Sequence, residues 1–140
     1  MIVLDTNVLS ELMRSAPEPA VVGWLDRQPA ESVWTTSVTL FEIGFGIELM
    51  DAGKRRNALV GLFEELIDAV LERRVLDFDR ASARASARIA ACLRANGRQG
   101  ELGDLQIAGI VATRKASLAT RNTRHFDGIG LSLIDPWRDR

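Results

Sequence analysis

Apolar and polar positions fall in blocks along this chain, and the blocks change period. Ile2, Val3 and Leu4 form a short unbroken apolar run ending on Asp5, the pattern of a strand buried on both faces. Val8, Leu9 and Leu12 follow at helical spacing. Pro17 and Pro19 interrupt, and Pro19 suits the first turn of a helix that runs to about Asp26 with Val21, Val22, Trp24 and Leu25 mostly inward. Ser32 to Thr36 is β-rich, and from Val38 to about Ala52 the helical period returns until Asp51-Ala52-Gly53 stops it. Leu59, Leu62, Phe63, Leu66, Ile67 and Val70 then make the clearest amphipathic stripe in the chain.

The second half repeats the alternation. Residues 74–79, "RVLDFD", read as a short strand ending in acids, and an Ala-rich helix from about Arg80 ends at Asn96-Gly97. Its alanines allow a neighbouring helix to approach closely. Cys92 reads as a small apolar residue on the buried face of that helix. Gly103-Asp104 opens a helix through Ile107, Ile110 and Val111, "SLATRN" is a strand, and "LSLID" is a last one before Pro136-Trp137. Strands and helices alternating at this pitch predict an α/β fold of βαβ units around a mainly parallel sheet. Without repeats, low-complexity tracts or linkers, residues 1–140 read as a single domain.

Composition narrows the class of function. One cysteine cannot form an internal bridge or a paired-cysteine zinc motif, which suits a reducing cytoplasm. The N-terminus lacks the pattern of a signal peptide, and no apolar run approaches the ~20 residues needed to span a bilayer. The expectation is a cytoplasmic protein with no membrane contact. Eighteen basic residues against nineteen acidic ones leave a net charge of −1, so any nucleic-acid binding must come from local groups such as Arg121 and Arg124.

In a parallel sheet, ligands gather outside the carboxyl ends of the strands. Asp5 ends the first strand there, and Asn122 follows a later strand in the same way. Glu42 falls in the first turns of the helix after the second strand, and Asp104 begins its own helix. Each has a plainer explanation. Asp5 and Asn122 suit strand-end turns, Thr39-Leu40-Phe41-Glu42 matches a capping box, and Asp104 suits a helix cap. Together on one edge they would repel one another, and a divalent cation would remove the conflict. All-oxygen ligation favours Mg2+ or Mn2+ over zinc, and displacement at phosphorus is the chemistry those ions best support. His125, the only histidine, reads as structural or substrate-adjacent. Trp24, Trp34 and Trp137 read as core or edge packing.

Four blocks, "IVLDTNVLSEL", "SVTLFEIGFGIE", "GDLQIAGIVA" and "LATRNTRHF", resemble in order and spacing the signature blocks of PIN domains, and more narrowly of VapC-type toxins including their FitB-like branch. The resemblance implies a three-layer α/β/α sandwich on a five-stranded sheet and a Mg2+- or Mn2+-dependent endoribonuclease acting as the toxin of a toxin–antitoxin pair. It implies a homodimer that assembles further with a small VapB-like antitoxin, whose tail blocks the acidic site. By position, Asp5, Glu42 and Asp104 match the three core acids and metal ligands, and Thr6 matches the residue after the first. Asn122 stands where many members carry a fourth acid, which weakens the case for a second metal. Leu59, Phe63 and Leu66, with Phe45 and Leu49 of the preceding helix, are placed by the resemblance in a groove for the antitoxin or, more plainly, in the core.

The leading reading has a metal held by Asp5, Glu42 and Asp104 activating water for attack on RNA, with Arg121 or Arg124 orienting the strand. A receiver-like domain that binds Mg2+ and accepts a phosphoryl group is the reading from another class, prompted by Asp77 and Asp79. It lacks the paired acids after the first strand, where Asp5-Thr6-Asn7 stands. A haloacid-dehalogenase-like phosphatase fails at Asn7 for the same reason. A PIN domain that binds RNA or a partner without cutting is the third.

Overall fold

The computed structural model describes residues 1–139. Five strands, β1 (Ile2–Leu4), β2 (Val33–Thr36), β3 (Val75–Leu76), β4 (Ser117–Ala119) and β5 (Ser132–Ile134), form one sheet in the order β3-β2-β1-β4-β5. Every pairing is parallel. The helices are α1 (Thr6–Leu12), α2 (Pro19–Asp26), α3 (Ser37–Glu48), α4 (Lys54–Glu65), α5 (Arg80–Ala95) and α6 (Leu102–Arg114). Among the described residues no helix is long and apolar enough to cross a membrane.

Strand alternation sorts the core into two halves. Leu4, Val33 and Ala119 face one way, and meet Val8, Leu9, Trp24, Ile43 and Ile47 from α1, α2 and α3. Val3, Leu76 and Leu118 face the other, and meet Ile107, Ile110 and Val111 of α6 with Phe126. The register Val3↔Leu118 and Leu4↔Ala119 holds both sets in phase, because successive residues of a strand point to opposite faces. The result is the α/β/α sandwich that the resemblance implies.

The chain winds outward from β1 to β2 and β3, then returns to place β4 on the other side of β1. The reversal leaves a crevice beyond the carboxyl ends of β1 and β4, where the helices and loops on either side diverge. Asp5 and Thr120 are the residues next after those two strands.

Three local expectations change. The stripe along α4 contains no fully buried residue, because Leu59, Val60 and Phe63 only edge the core. Leu66 to Val70 forms a π-helical turn, which advances the chain out of phase and leaves Val70 exposed. Cys92 is exposed, not inward. The buried face of α5 runs through Ser82, Ala85, Ser86 and Leu93, and Cys92 precedes that line by one residue, a rotation of about 100°.

Candidate active site

Asp5 serves its helix and the crevice together. Its carboxylate caps α1 by accepting the Thr6 N–H at 2.8 Å, as strand-end turn chemistry predicts. Yet the side chain is only 4% exposed, which no cap requires. Its second oxygen accepts from the Thr120 hydroxyl at 2.7 Å and from Asn7 Nδ2 at 3.2 Å. Burial pushes the Asp5 carboxyl above the ordinary aspartate range; the hydrogen bonds from Thr120 and Thr6 pull against it, and the charges of Asp104 and Glu42 push it further up.

Glu42 is not a capping-box residue. The cap of α3 is Thr36, whose hydroxyl accepts the Thr39 N–H, so the helix begins earlier than the sequence pattern suggests and Glu42 lies in its second turn. Its carboxylate instead accepts the Thr6 hydroxyl at 2.9 Å. That donation commits the Thr6 proton, so the 3.0 Å contact between Thr6 and Thr39 has Thr39 as donor. Gly103 lies on the other side of Glu42, where an added Cβ would stand 3.2 Å from Oε2. A larger residue there would displace the carboxylate.

Asp104 does not cap α6, whose N-cap is Glu101. Its Oδ2 meets His125 Nδ1 at 2.9 Å. A carboxylate can only accept, so Nδ1 carries the proton. Asn122 lies at the mouth of the crevice. Its N–H donates to Thr120 Oγ1, while its side chain is exposed and has no hydrogen-bond partner among the described residues. Arg121 donates its N–H to Asn7 Oδ1 and lays its guanidinium over Trp137 at 5.0 Å. The side chain of Arg124 is likewise unpartnered among the described residues.

Asp77 and Asp79 stand apart from this network. Asp79 caps α5, and the hydrogen bond it accepts from the Ser82 N–H holds its carboxyl below the usual range. Thr120, Asn7, Thr39 and Gly103 escape a reading of the sequence alone. Thr120 is fully buried and reaches Asp5 across 115 positions of chain, which leaves no local pattern to find. Thr120→Val keeps the shape and removes the hydroxyl. It is expected to destabilise the protein by about 1–3 kcal/mol, since Asp5 loses its shortest hydrogen bond, and chemical denaturation will measure this.

The donor chemistry is all oxygen apart from His125. Among the described residues no three acid or histidine side chains already close on a common point as a ready chelate. Zinc would require such a closed set, whereas Mg2+ usually keeps several waters and takes one or two carboxylates. A carboxylate raised chiefly by its burial, with acidic neighbours adding to the effect, fits that second mode.

A comparison of the whole chain decides its kinship. The PIN domain family model matches residues 2–130. The chain belongs to the PIN-domain family. This PIN domain is 38% identical to the VapC ribonuclease Y4jK of Sinorhizobium fredii, over 98% of each chain. It is 34% identical to the toxin FitB of Neisseria gonorrhoeae, over 99% of this chain and 100% of that one. Its fold superposes with a TM-score of 0.91 on a chain of the FitAB complex bound to an IR36 DNA fragment, at 33% identity and over 100% of this chain and 98% of that chain. Solved structures that this PIN domain resembles thus include toxin–antitoxin complexes, some of them on DNA.

Proposed function

We propose that this PIN domain is the toxin of a toxin–antitoxin pair and a Mg2+- or Mn2+-dependent endoribonuclease that hydrolyses RNA phosphodiester bonds in the cytoplasm, as one domain over residues 1–140. The observation that carries the proposal is the buried Asp5 carboxylate at the sheet reversal, under the added charge of Glu42 and Asp104. Burial, with the nearby charges of Glu42 and Asp104, disfavours a bare Asp5 anion, and a divalent ion would offset that cost. Relatives named as a ribonuclease and as a toxin support the direction of the reading.

Asp5, Asp104 and Glu42 are the residues that would hold the ion. When bound, it would supply a water of lowered pKa and offset charge on the phosphate oxygens. The rest of the work belongs to the chain. Thr120 and Asn7 hold Asp5 in one rotamer with its charge-bearing oxygens hydrogen-bonded. Thr6 fixes Glu42, and His125 fixes Asp104. Outer partners of this kind typically alter metal affinity or activity by about 10–100-fold when removed. Arg121, braced on Trp137, and Arg124 flank Asn122 at the mouth, in reach of an RNA strand.

Incubating purified total RNA with the isolated protein tests the proposal. Discrete fragments that form with Mg2+ or Mn2+ and disappear with EDTA are expected. RNA left intact, together with no Mn2+ binding, would return the acids to a capping and turn role.

The antitoxin's place is a groove between α1, α3 and α4 that ends on Glu42 and Thr6. It has a volume of about 610 Å3 and is lined by Met13, Ile47, Met50, Leu59 and Leu62. Of the residues the resemblance placed there, Leu59 lines it, whereas Phe63 and Leu66 pack against the core. Phe45 and Leu49 lie outside it. With Phe41 they form an exposed strip on α3 whose two rings stack at 5.9 Å, a surface suited to a second copy in a homodimer. An apolar helix laid in the groove could carry a polar tail to the acids and block them. Leu62→Asp, at a position already 38% exposed, is expected to leave the fold intact and weaken antitoxin binding at least about tenfold by calorimetric titration.

A further inference from the structure

Beyond Asp104, away from the groove, lies a second cavity of about 230 Å3 that the acid cluster does not use. It sits between the end of α5, the connection to α6 and the 3-10 turn Thr123–Phe126, and Asp104 is the wall it shares with the acids. Its other lining includes Arg98, Gln99, Gly100, Arg124 and His125. Two acids also reach it, Asp104 and Glu101, so its cationic side is the side formed by the arginines.

Arg98 is held there by the fold. Its Nη1 donates to the Asp127 carbonyl and its Nη2 to the Arg124 carbonyl at 3.2 Å, which locks the turn to the end of α5. The backbone makes room for it at Gly128, which has a φ of +75° and would place an added Cβ 3.4 Å from Nη1. A guanidinium anchored by two carbonyls keeps further N–H groups for a ligand, and its planar fork matches two phosphate oxygens. Arg124 projects from the turn that Arg98 secures, with no partner of its own among the described residues. The turn also delivers His125 to Asp104, so one element joins the cavity to the acids.

We propose that this cavity is a subsite for an internal phosphodiester of single-stranded RNA adjacent to the bond being cut, with Arg98 and Arg124 as its donors. The assignment rests on the nuclease reading and deepens it by naming where the flanking strand is held. With basic and acidic residues nearly balanced along the chain, phosphate contacts rest on locally placed arginines. This subsite would set the register of the strand relative to Asp5.

The test is binding of a short fluorescent single-stranded oligoribonucleotide, followed by anisotropy in EDTA so that no cutting intervenes, over a range of salt concentrations. For single strands the slope of log affinity against log salt becomes shallower by about 0.7 for each phosphate that the protein no longer neutralises. Arg98→Gln and Arg124→Gln are each expected to flatten the slope by that amount. Arg88→Gln, whose residue lines a different cavity near the starts of β4 and β5, is expected to leave it unchanged. Arg98→Gln also loosens the turn and Arg124 also flanks the mouth of the crevice, so the subsite requires both variants to flatten the slope. RNA binding with a wild-type slope in either variant overturns the subsite and leaves the nuclease reading standing. Wild-type protein that neither binds nor cuts RNA overturns both.

Discussion

Asp5→Asn is expected to remove metal-dependent RNA cleavage, with a loss of at least about a thousandfold, and to leave a folded protein. The amide can still accept the Thr6 N–H, so the cap of α1 survives, but it cannot neutralise a cation. A Lewis-acid contribution of several kcal/mol corresponds to a loss of that size, at about 1.4 kcal/mol for each tenfold in rate. Stability supplies an independent readout. Because the folded carboxyl titrates above its unfolded value of about 3.9, folded protein retains a proton that the unfolded chain has already released. The contribution of Asp5 to stability is therefore greatest in acid, falls as pH rises through the window between the unfolded and folded values, and is flat above it. Thermal melts of the metal-free protein should show this component in the wild type and lose it in Asp5→Asn. Above that window, added Mg2+ should raise the melting temperature of the wild type by mass action and leave the variant where it was. Equal Mg2+ responses in the two proteins would remove Asp5 from the proposed metal site.

Gly109→Ala carries the largest expected effect on folding. Helices α5 and α6 cover one face of the sheet, and they cross at Gly109 with no room for a side chain. A Cβ there would stand 2.9 Å from the backbone nitrogen of Ser86, and nearer still to the Ser86 hydroxyl and the Ser82 carbonyl. Two of those three atoms belong to the main chain, so a rotamer change cannot relieve the overlap and the helices must part. Ser86 Oγ also donates to the Leu105 carbonyl at 2.7 Å, a bond that separation would break. We expect a loss of about 3 kcal/mol or more, at the upper end for overpacked cores, measurable by urea denaturation. Adding Ser86→Ala should recover only part of it, because the Ser82 carbonyl remains. Full recovery would place the constraint in the side chain and not in the close approach of the backbones.

The same crossing shows where a reading of the chain stops. The alanines of α5 predict a close neighbour, and α6 is that neighbour, but which glycine meets which serine depends on the angle and rotation of two helices. The orientation of Cys92 fails for a related reason. Alanine is compatible with either face, so the sequence of α5 leaves the phase of its buried side open, and the packing of Ser82, Ala85, Ser86 and Leu93 chooses it.

Much of the crevice is legible because its acids sit at positions with a local signature. Asp5 ends an apolar run, and Asp104 follows a glycine at the start of a helical period. A parallel sheet then brings such positions to one edge, as β1 and β4 do here. Glu42 has a signature too, but a misleading one, since the Thr39 capping pattern competes with the actual cap at Thr36. The hydroxyl that decides is that of Thr6, one residue beyond Asp5 and 36 positions from its acceptor.

What the sequence by itself determined was the alternation of strands and helices, the parallel sheet that follows from it, the edge on which the acids gather and the family to which the motif blocks belong. These rest on periodicity, turn chemistry and strand ends, all of which act over a few residues. The tertiary structure alone decided that Asp5 is buried, that Thr120 and Asn7 share its carboxylate, that His125 turns to Asp104, and that Arg98 secures the turn beside it. Burial and long-range hydrogen bonds depend on which distant segments fill the space around a group. Desolvation and charge repulsion, the terms that set the state of the Asp5 carboxyl, are properties of that filled space and have no counterpart in the local sequence.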